Sequence, residues 1–371
     1  METSKTTDRR QFVKTMGIAG AAAAVLPGLT ARAAENETVT LALVGGAHIH
    51  TPGFISLLNG RDDVVVKYVW DHDAARAQKR AKHLDAEVVG DVTVVWADPE
   101  VDAVIVCSET DRHLDLVLQG AAAGKHLFVE KPLGITSKDS YRMAAAMETA
   151  GILFTTGYFM RTNPVLRFLK EQIALGNFGQ LTRIEGWNCH SGSLGGWFDT
   201  EWRWMADPEV AGVGAFGDLG THSLDILMWM MGEIKSVAAD IRIVTGRYAG
   251  CDETGQALMK FANGASGTLT AGWVAVANPV SLMISGTEGH AAVVNDRLYY
   301  RSNKVEGADG KTAWTALPAK QPAPLAMFVD AVAGADNLPL VTPKEAADRV
   351  AVMEAMYRAS AKDKWVKPSL K

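Results

Sequence analysis

Phe128-Val129-Glu130-Lys131-Pro132 reads as the end of a buried strand with a charged lysine set immediately beyond it. A parallel strand covered on both faces is a near-continuous apolar run. Its carboxyl end reaches the rim where doubly wound sheets bind cofactor and substrate. Pro132 fixes its own φ, so Lys131 has limited freedom in where it points. A lysine so placed can bind a substrate hydroxyl and shuttle its proton. Taken alone, Glu-Lys-Pro would suit an exposed strand end equally well; the segments on either side separate the two readings.

Upstream, short apolar runs alternate with amphipathic stretches. Val39–Val44, Val64–Trp70, Val92–Trp96, Ala103–Cys107, His126–Val129 and Leu153–Thr156 read as strands, and Ala74–Leu84, Arg112–Ala123 and Ser137–Ala150 as helices. Such alternation predicts βαβ units and a parallel sheet, with Gly124 and Gly151 placed as helix C-caps. The rhythm changes after Gly157. A helix over Pro164–Leu175 and a turn at Gly176–Gly179 lead into longer runs. These are Leu181–Cys189, Val237–Val244, Thr254–Phe261, Gly267–Trp273, Val280–Gly286 and Ala291–Tyr300. Asn263-Gly264 marks a hairpin. Helical patterns at Gly220–Met231, Pro324–Ala333 and Lys344–Ala361 complete this half. The expected architecture is α/β: an N-terminal Rossmann doubly wound parallel sheet, then a C-terminal α+β domain with a large, mostly antiparallel sheet.

A chain of 371 residues exceeds one ordinary core, in keeping with two domains, placed at 35–156 and 157–371. Net charge is −5 with no basic stripe, so nucleic acid is not an expected partner. Cys107, Cys189 and Cys251 are odd in number and widely spaced, which gives neither a disulfide framework nor metal-type spacing. Residues 1–34 read as an export signal. Thr7-Asp8-Arg9-Arg10-Gln11-Phe12-Val13-Lys14 matches the twin-arginine pattern, an apolar stretch from Met16 to Leu26 follows, and Ala31-Arg32-Ala33-Ala34 supplies a small-residue cleavage site. The apolar stretch is too short for a permanent membrane anchor. The expectation is therefore a periplasmic protein exported already folded.

Val44-Gly45-Gly46-Ala47-His48-Ile49-His50 follows the first strand, where a Rossmann fold sets the turn that meets the pyrophosphate. Gly45 fits the first glycine of G-x-G-x-x-G, while Ala47 and His50 occupy the second and third positions. Asp71, ending the second strand roughly 25 residues further on, is placed to bond the adenosine ribose and favour NAD. Arg76 leaves NADP open. His48 and His50 lack a third ligand in sequence and read as polar loop residues, so no metal is expected.

Further on, Gly217-Asp218-Leu219-Gly220-Thr221-His222-Ser223-Leu224-Asp225 spaces Asp218 and His222 four apart, on one face of a helix start. An acid and a histidine facing a lysine can take a hydroxyl proton as hydride leaves the same carbon.

A Rossmann half ending in Glu130-Lys131-Pro132, followed by G-D-x-G-x-H-x-x-D at 217–225, resembles the glucose–fructose oxidoreductase / inositol dehydrogenase / rhizopine catabolism (Gfo/Idh/MocA) family over essentially the whole mature chain. The resemblance implies oxidation or reduction of a secondary or anomeric alcohol of a sugar, cyclitol or glycoside with NAD(P). In that pattern Lys131 binds the reacting hydroxyl, His222 is the acid/base, and Asp218 orients the substrate or tunes His222. Ser108, Thr110, His113 and Glu130 join Gly45, Ala47, His48, Ile49 and Asp71 along the cofactor. Tyr158, Arg161 and Asn163 stand beside the nicotinamide, and Trp197, Trp202, Arg203 and Trp204 form a wall facing the sugar. The resemblance also implies a homodimer or homotetramer formed through the second sheet. Because free NAD(P) is scarce outside the cytoplasm, an exported member is expected to hold its nicotinamide tightly. Two other readings stay open on the sequence: a glycosidase or lyase using transient oxidation, and an inactive sugar-binding protein.

Overall fold

The computed structural model describes residues 38–371; the twin-arginine stretch and its cleavage site lie outside the described residues. The first sheet comprises β1 (Val39–Val44), β2 (Val64–Trp70), β3 (Glu87–Val88), β4 (Ala103–Val106), β5 (His126–Val129) and β6 (Phe154–Thr156). They lie in the order β3-β2-β1-β4-β5-β6, every pair parallel. β1, β4 and β5 are almost wholly buried, as strands covered on both faces must be. The interleaved helices are α1 (Thr51–Asn59), α2 (Ala74–Leu84), α3 (Thr93–Ala97), α4 (His113–Ala122) and α5 (Ser137–Ala150). Local chemistry sets their ends: the Asp73 side chain caps α2, Thr136 caps α5, and Gly124 and Gly151 take the positive φ expected of chain leaving a helix.

Val92–Trp96 departs from its expected strand. It forms the single turn α3, with the Asp91 carboxylate accepting from Thr93 N and with Val95 and Trp96 turned into the core. The third strand is instead the two-residue β3 at the sheet edge. Five apolar residues do not by themselves distinguish a strand from a buried helical turn.

After α6 (Pro164–Ala174) the second sheet is built from β7 (Leu181–Cys189), β8 (Ile234–Arg242), β9 (Thr254–Phe261), β10 (Ser266–Gly272), β11 (Val280–Gly286), β12 (Gly289–Val294), β13 (Arg297–Ser302) and β14 (Asp309–Ala313). Its order is β14-β13-β12-β11-β7-β10-β9-β8, antiparallel except between β7 and β10. The run read as one strand over Ala291–Tyr300 is a hairpin. Asn295 and Asp296 both adopt positive φ, the two-residue turn geometry that matches strand twist.

Two helices, α7 (Pro208–Ala211) and α8 (Ala215–Met231), precede β8. α8 lies on the inner face of the second sheet, and all but Leu219 and Trp229 of its residues are buried. The closing helices α9 (Pro324–Val332) and α10 (Pro343–Lys362) return to the first half. Leu325, Phe328 and Val329 of α9 enter the core beneath β1 and β4. α10 puts Ala346, Ala347, Val350 and Ala351 into the core of the first half and Val352, Met353 and Met356 into that of the second. One helix thus holds the two sheets in fixed relation, with the ends of β1, β4 and β5 facing the start of α8.

Candidate active site

The turn after β1 sits at the point where strand order reverses, between β1 and β4. Gly45 has φ +81°, and a Cβ there would lie 2.5 Å from the Ser108 backbone, so β1 and β4 meet closely only because position 45 is glycine. Gly46 N donates to Asp71 Oδ2 at 2.7 Å, and Arg80 donates to Gly46 O from beneath. Asp71 is buried and accepts from Gly46 N, Asp73 N and both Arg76 Nε (2.6 Å) and Nη2 (2.8 Å). Arg76 also donates to Glu109 Oε1 at 2.8 Å. With Arg76 committed to Asp71 and Glu109, and Arg112 lying 3.7 Å from Glu109, neither arginine is left free for a 2′-phosphate, and Asp71 at the end of β2 suits the ribose of NAD. Ser108 Oγ and Glu109 Oε2 are buried beside this turn with no hydrogen-bond partner. Orphaned polar atoms at the switch point are what a dinucleotide would satisfy. Asp71, Ser108 and Glu109 therefore fit the adenosine side of such a group, and Ala47, His48 and Ile49 carry the turn onward towards the reaction end.

At the end of β5 the Glu130 carboxylate is fully buried, accepting from Lys131 N at 2.8 Å and from His50 Nδ1 at 3.0 Å. Burial opposes its charge, but His48, His50 and Lys131 around it hold its pKa well below the usual carboxylate range. Lys131, 3% exposed, donates to Asp218 Oδ1 at 2.6 Å, and Trp273 Nε1 donates to Asp218 Oδ2 at 3.2 Å. Burial would raise the Asp218 pKa, yet the Lys131 ammonium holds it at about 2. His222, one helical turn on, is 3% exposed, and its Nδ1 has no partner. Burial drives its pKa well below the ordinary imidazole value, and Lys131 and His50 add in the same direction. The cluster therefore combines a cationic donor, an ionised carboxylate that orients it and a neutral imidazole.

The first turn of α8 is fixed from outside the helix. Gly214 leaves no room for a side chain, since a Cβ would lie 2.3 Å from Asp252 Oδ2. Asp252 Oδ1 accepts from Phe216 N at 2.7 Å. Tyr357 Oη accepts from Gly214 N and Gly217 N and donates to Asp252 Oδ2 at 2.8 Å. Helix-end amides that local residues cannot satisfy are met by two long-range partners, and Asp218 and His222 are held in place with them.

The remaining expected residues divide by location. His113 is buried with its ring between Ser108 O and Leu133 O, tying the loop after β4 to the residues beyond Pro132. Thr110 is buried at the start of that loop's short helical turn. Tyr158 is buried beside His222 and shares a 3.0 Å hydrogen bond with Thr221. Arg161 has its guanidinium committed to Asp225 (2.6 and 2.8 Å) and Glu345 (2.9 Å). Asn163 caps α6. Trp204 Nε1 donates to Ala47 O, joining the 190–206 segment to the glycine turn, and Trp202 packs in the same cluster as Ile49. Arg203 stacks on Tyr248, and Trp197 stacks on His190. Sequence reasoning places Glu109 only within the cofactor-lining segment 108–113 and misses Trp273, Asp252, Tyr357 and the contact of His50 with Glu130. In sequence His50 reads as an odd residue in the third glycine position and, with His48, as a polar loop residue.

His48, His50 and Glu130 are the one group among the described residues whose ligand atoms approach closely enough for a cation. His50 N donates to His48 Nδ1 at 3.3 Å, which places the His48 ring proton on Nε2, facing Glu130 Oε2 at 3.8 Å.

Family models agree with this geometry. Residues 39–158 match the oxidoreductase family, NAD-binding Rossmann fold, and residues 166–292 match the GFO/IDH/MocA C-terminal domain. The chain belongs to the Gfo/Idh/MocA oxidoreductase family, and its first domain is that family's NAD-binding Rossmann domain. Among curated proteins it is 30% identical to myo-inositol 2-dehydrogenase of Thermotoga maritima, over 56% of this chain and 61% of that one. It is 27% identical to levoglucosan dehydrogenase of Pseudarthrobacter phenanthrenivorans, over 52% of this chain and 55% of that one. The chain thus spans between about half and two thirds of the length of the curated relatives it matches. Among solved structures, levoglucosan dehydrogenase with NADH and levoglucosan superposes with a TM-score of 0.75 at 21% identity, covering 89% of this chain and 99% of that one. A Bordetella pertussis dehydrogenase bound to NADH and UDP-GlcNAcA gives 0.75 at 21% identity, over 90% of this chain and all of that one. These two likenesses are of fold.

Proposed function

We propose that this protein is an exported, NAD-dependent oxidoreductase acting on a secondary or anomeric hydroxyl of a sugar, cyclitol or glycoside. The observation that carries the reading is the buried Lys131–Asp218 pair at 2.6 Å with neutral His222 one helical turn away. Bound nicotinamide supplies the hydride acceptor or donor. Lys131 gives one ammonium proton to Asp218 Oδ1 and a second, at 3.5 Å, to Asp218 O; the third binds the substrate oxygen and acidifies its hydroxyl. His222, held neutral by burial, takes that proton. Asp218, ionised and pinned by Trp273, keeps the ammonium aimed. Relatives named as inositol and levoglucosan dehydrogenases support the substrate class.

The twin-arginine pattern at 7–14 supports periplasmic delivery in the folded state and a cofactor retained through many turnovers. A sugar whose hydroxyl gives up hydride and a second, carbonyl-bearing partner that accepts it would then visit in turn. The uncovered face of the second sheet, with Leu258 exposed beside Trp187 and Thr270, suits a homodimer or homotetramer. Mass spectrometry of nucleotide released from the purified mature protein tests the retained cofactor, with about one NAD per chain expected. An empty protein would remove the internal-recycling reading.

A further inference from the structure

His222 is 3% exposed and, in the oxidation half of the proposed reaction, acquires a proton that it must shed until the second partner arrives. Burial disfavours the imidazolium strongly, so a path for that proton is a requirement of the chemistry. The groups facing His222 are Lys131, Asp218, His50 and Glu130, with His48 behind them. Lys131 already carries its protons, Asp218 is engaged by Lys131 and Trp273, and Glu130 is fully buried. Tyr158 is occupied with Thr221, and Phe159, stacked 4.8 Å from the His222 ring, is apolar. His50 differs from all of them. Its ring centroid lies 6.4 Å from that of His222, and its side chain is 33% exposed. Its Nδ1 meets the Glu130 carboxylate at 3.0 Å, which places the ring proton there and leaves Nε2 as the free acceptor.

We propose that His50, oriented by Glu130, is the proton exit of the active site. It receives from His222 the proton taken off the substrate hydroxyl and passes it to solvent. The proton enters His222 on one ring nitrogen and leaves by the other, crossing to His50 Nε2 by ring rotation or through one bridging water. His50 becomes an imidazolium paired with the Glu130 carboxylate, as in other carboxylate–histidine pairs. It then releases the same proton to water or buffer, and both rings return to neutral. The reduction direction runs the path backwards. The carboxylate is buried so that it cannot leave the histidine, and the histidine is half-open so that it can meet solvent.

The inference rests on the proposed redox chemistry, and its test separates the two. With the full mature protein carrying its nucleotide, turnover of an accepted sugar, with a second, carbonyl-bearing sugar supplied as hydride acceptor, is measured against buffer concentration for the wild type and for His50→Ala and His50→Gln. Nucleotide content and melting temperature are recorded for each. Both variants should keep their nucleotide and lose about 10-fold or more in kcat at low buffer, with kcat/KM changed less. Added imidazole should restore His50→Ala towards the wild-type rate, which a structural defect would not allow. A buffer-independent, wild-type kcat in His50→Ala would overturn the relay while leaving the redox reading intact; so would imidazole rescue of His190→Ala instead. Absence of sugar-dependent reduction in the wild type would remove the redox reading itself. A stoichiometric divalent cation found by elemental analysis and lost on His50→Ala would also overturn the relay, because the nitrogen assigned to the proton would then be a ligand.

Discussion

The two ends of the candidate cofactor groove are built from similar groups, and each keeps buried atoms unpaired for a different purpose. At the adenosine end, Asp71 receives four hydrogen bonds, and Arg76 is shared between Asp71 and Glu109. At the reaction end, His222 Nδ1 has no partner, and the outer nitrogen of His50 is free. Saturated polar groups fix a shape and a charge; unsaturated buried ones keep capacity for a ligand or a proton, at a cost to stability. The adenosine end pairs its charges and leaves Ser108 Oγ and Glu109 Oε2 for a ligand, whereas the reaction end leaves a ring nitrogen for a proton.

Breaking the reaction end should have the largest consequence. Lys131→Met, of similar length but without charge, should lower turnover by about 10³-fold or more while retaining nucleotide, since it removes both the hydroxyl ligand and the partner of Asp218. His222→Asn should lower kcat by about 10²-fold, with bound nucleotide again present by mass measurement. Between the two ends, Tyr357→Phe removes the hydroxyl that serves Gly214 N, Gly217 N and Asp252. It should cost about 1–3 kcal/mol of stability, read by denaturant unfolding, and reduce kcat through a loosened Asp218 and His222. At the adenosine end, Asp71→Ser combined with Glu109→Gln frees Arg76 and should raise the affinity for NADP relative to NAD by about 10-fold, measured by equilibrium binding.

Acid stability offers a smaller, graded test. Burial holds His48 at about pH 3, against 6.5 when exposed. Between those values the unfolded chain binds a proton that the folded chain refuses. Stability from this group is therefore complete above 6.5, declines as pH falls through the window and is gone near 3. Glu130, depressed below its ordinary 4.5, acts in the same direction further down. His48→Gln should flatten the upper part of the fall in Tm with pH.

What was legible in the sequence was local. The strand ends at Trp70 and Val129 and the i, i+4 spacing of Asp218 and His222 are contained in short runs whose periodicity or apolar continuity is decisive. The doubly wound sheet followed from them. Distant partners were not legible. Glu130 and His50 are 80 residues apart, Tyr357 and Asp252 105, and Arg161 is claimed by Asp225 and Glu345 at separations of 64 and 184. Nothing in a window of ten residues distinguishes an arginine that will meet a sugar from one that will meet another carboxylate. The return of α9 and α10 to the first half was hidden for the same reason, because amphipathic patterning says that a face is buried but not against what.

Service of Lys131 to a resident nicotinamide is the step on which the proposed reaction depends. It is tested most directly by mixing the purified, nucleotide-loaded protein with a panel of sugars, cyclitols and glycosides and following the near-ultraviolet absorbance of reduced nicotinamide. The account predicts that at least one of them reduces the bound nucleotide in the wild type within a single turnover and that Lys131→Met, equally loaded, shows no comparable change. Equal reduction in the two proteins would contradict it.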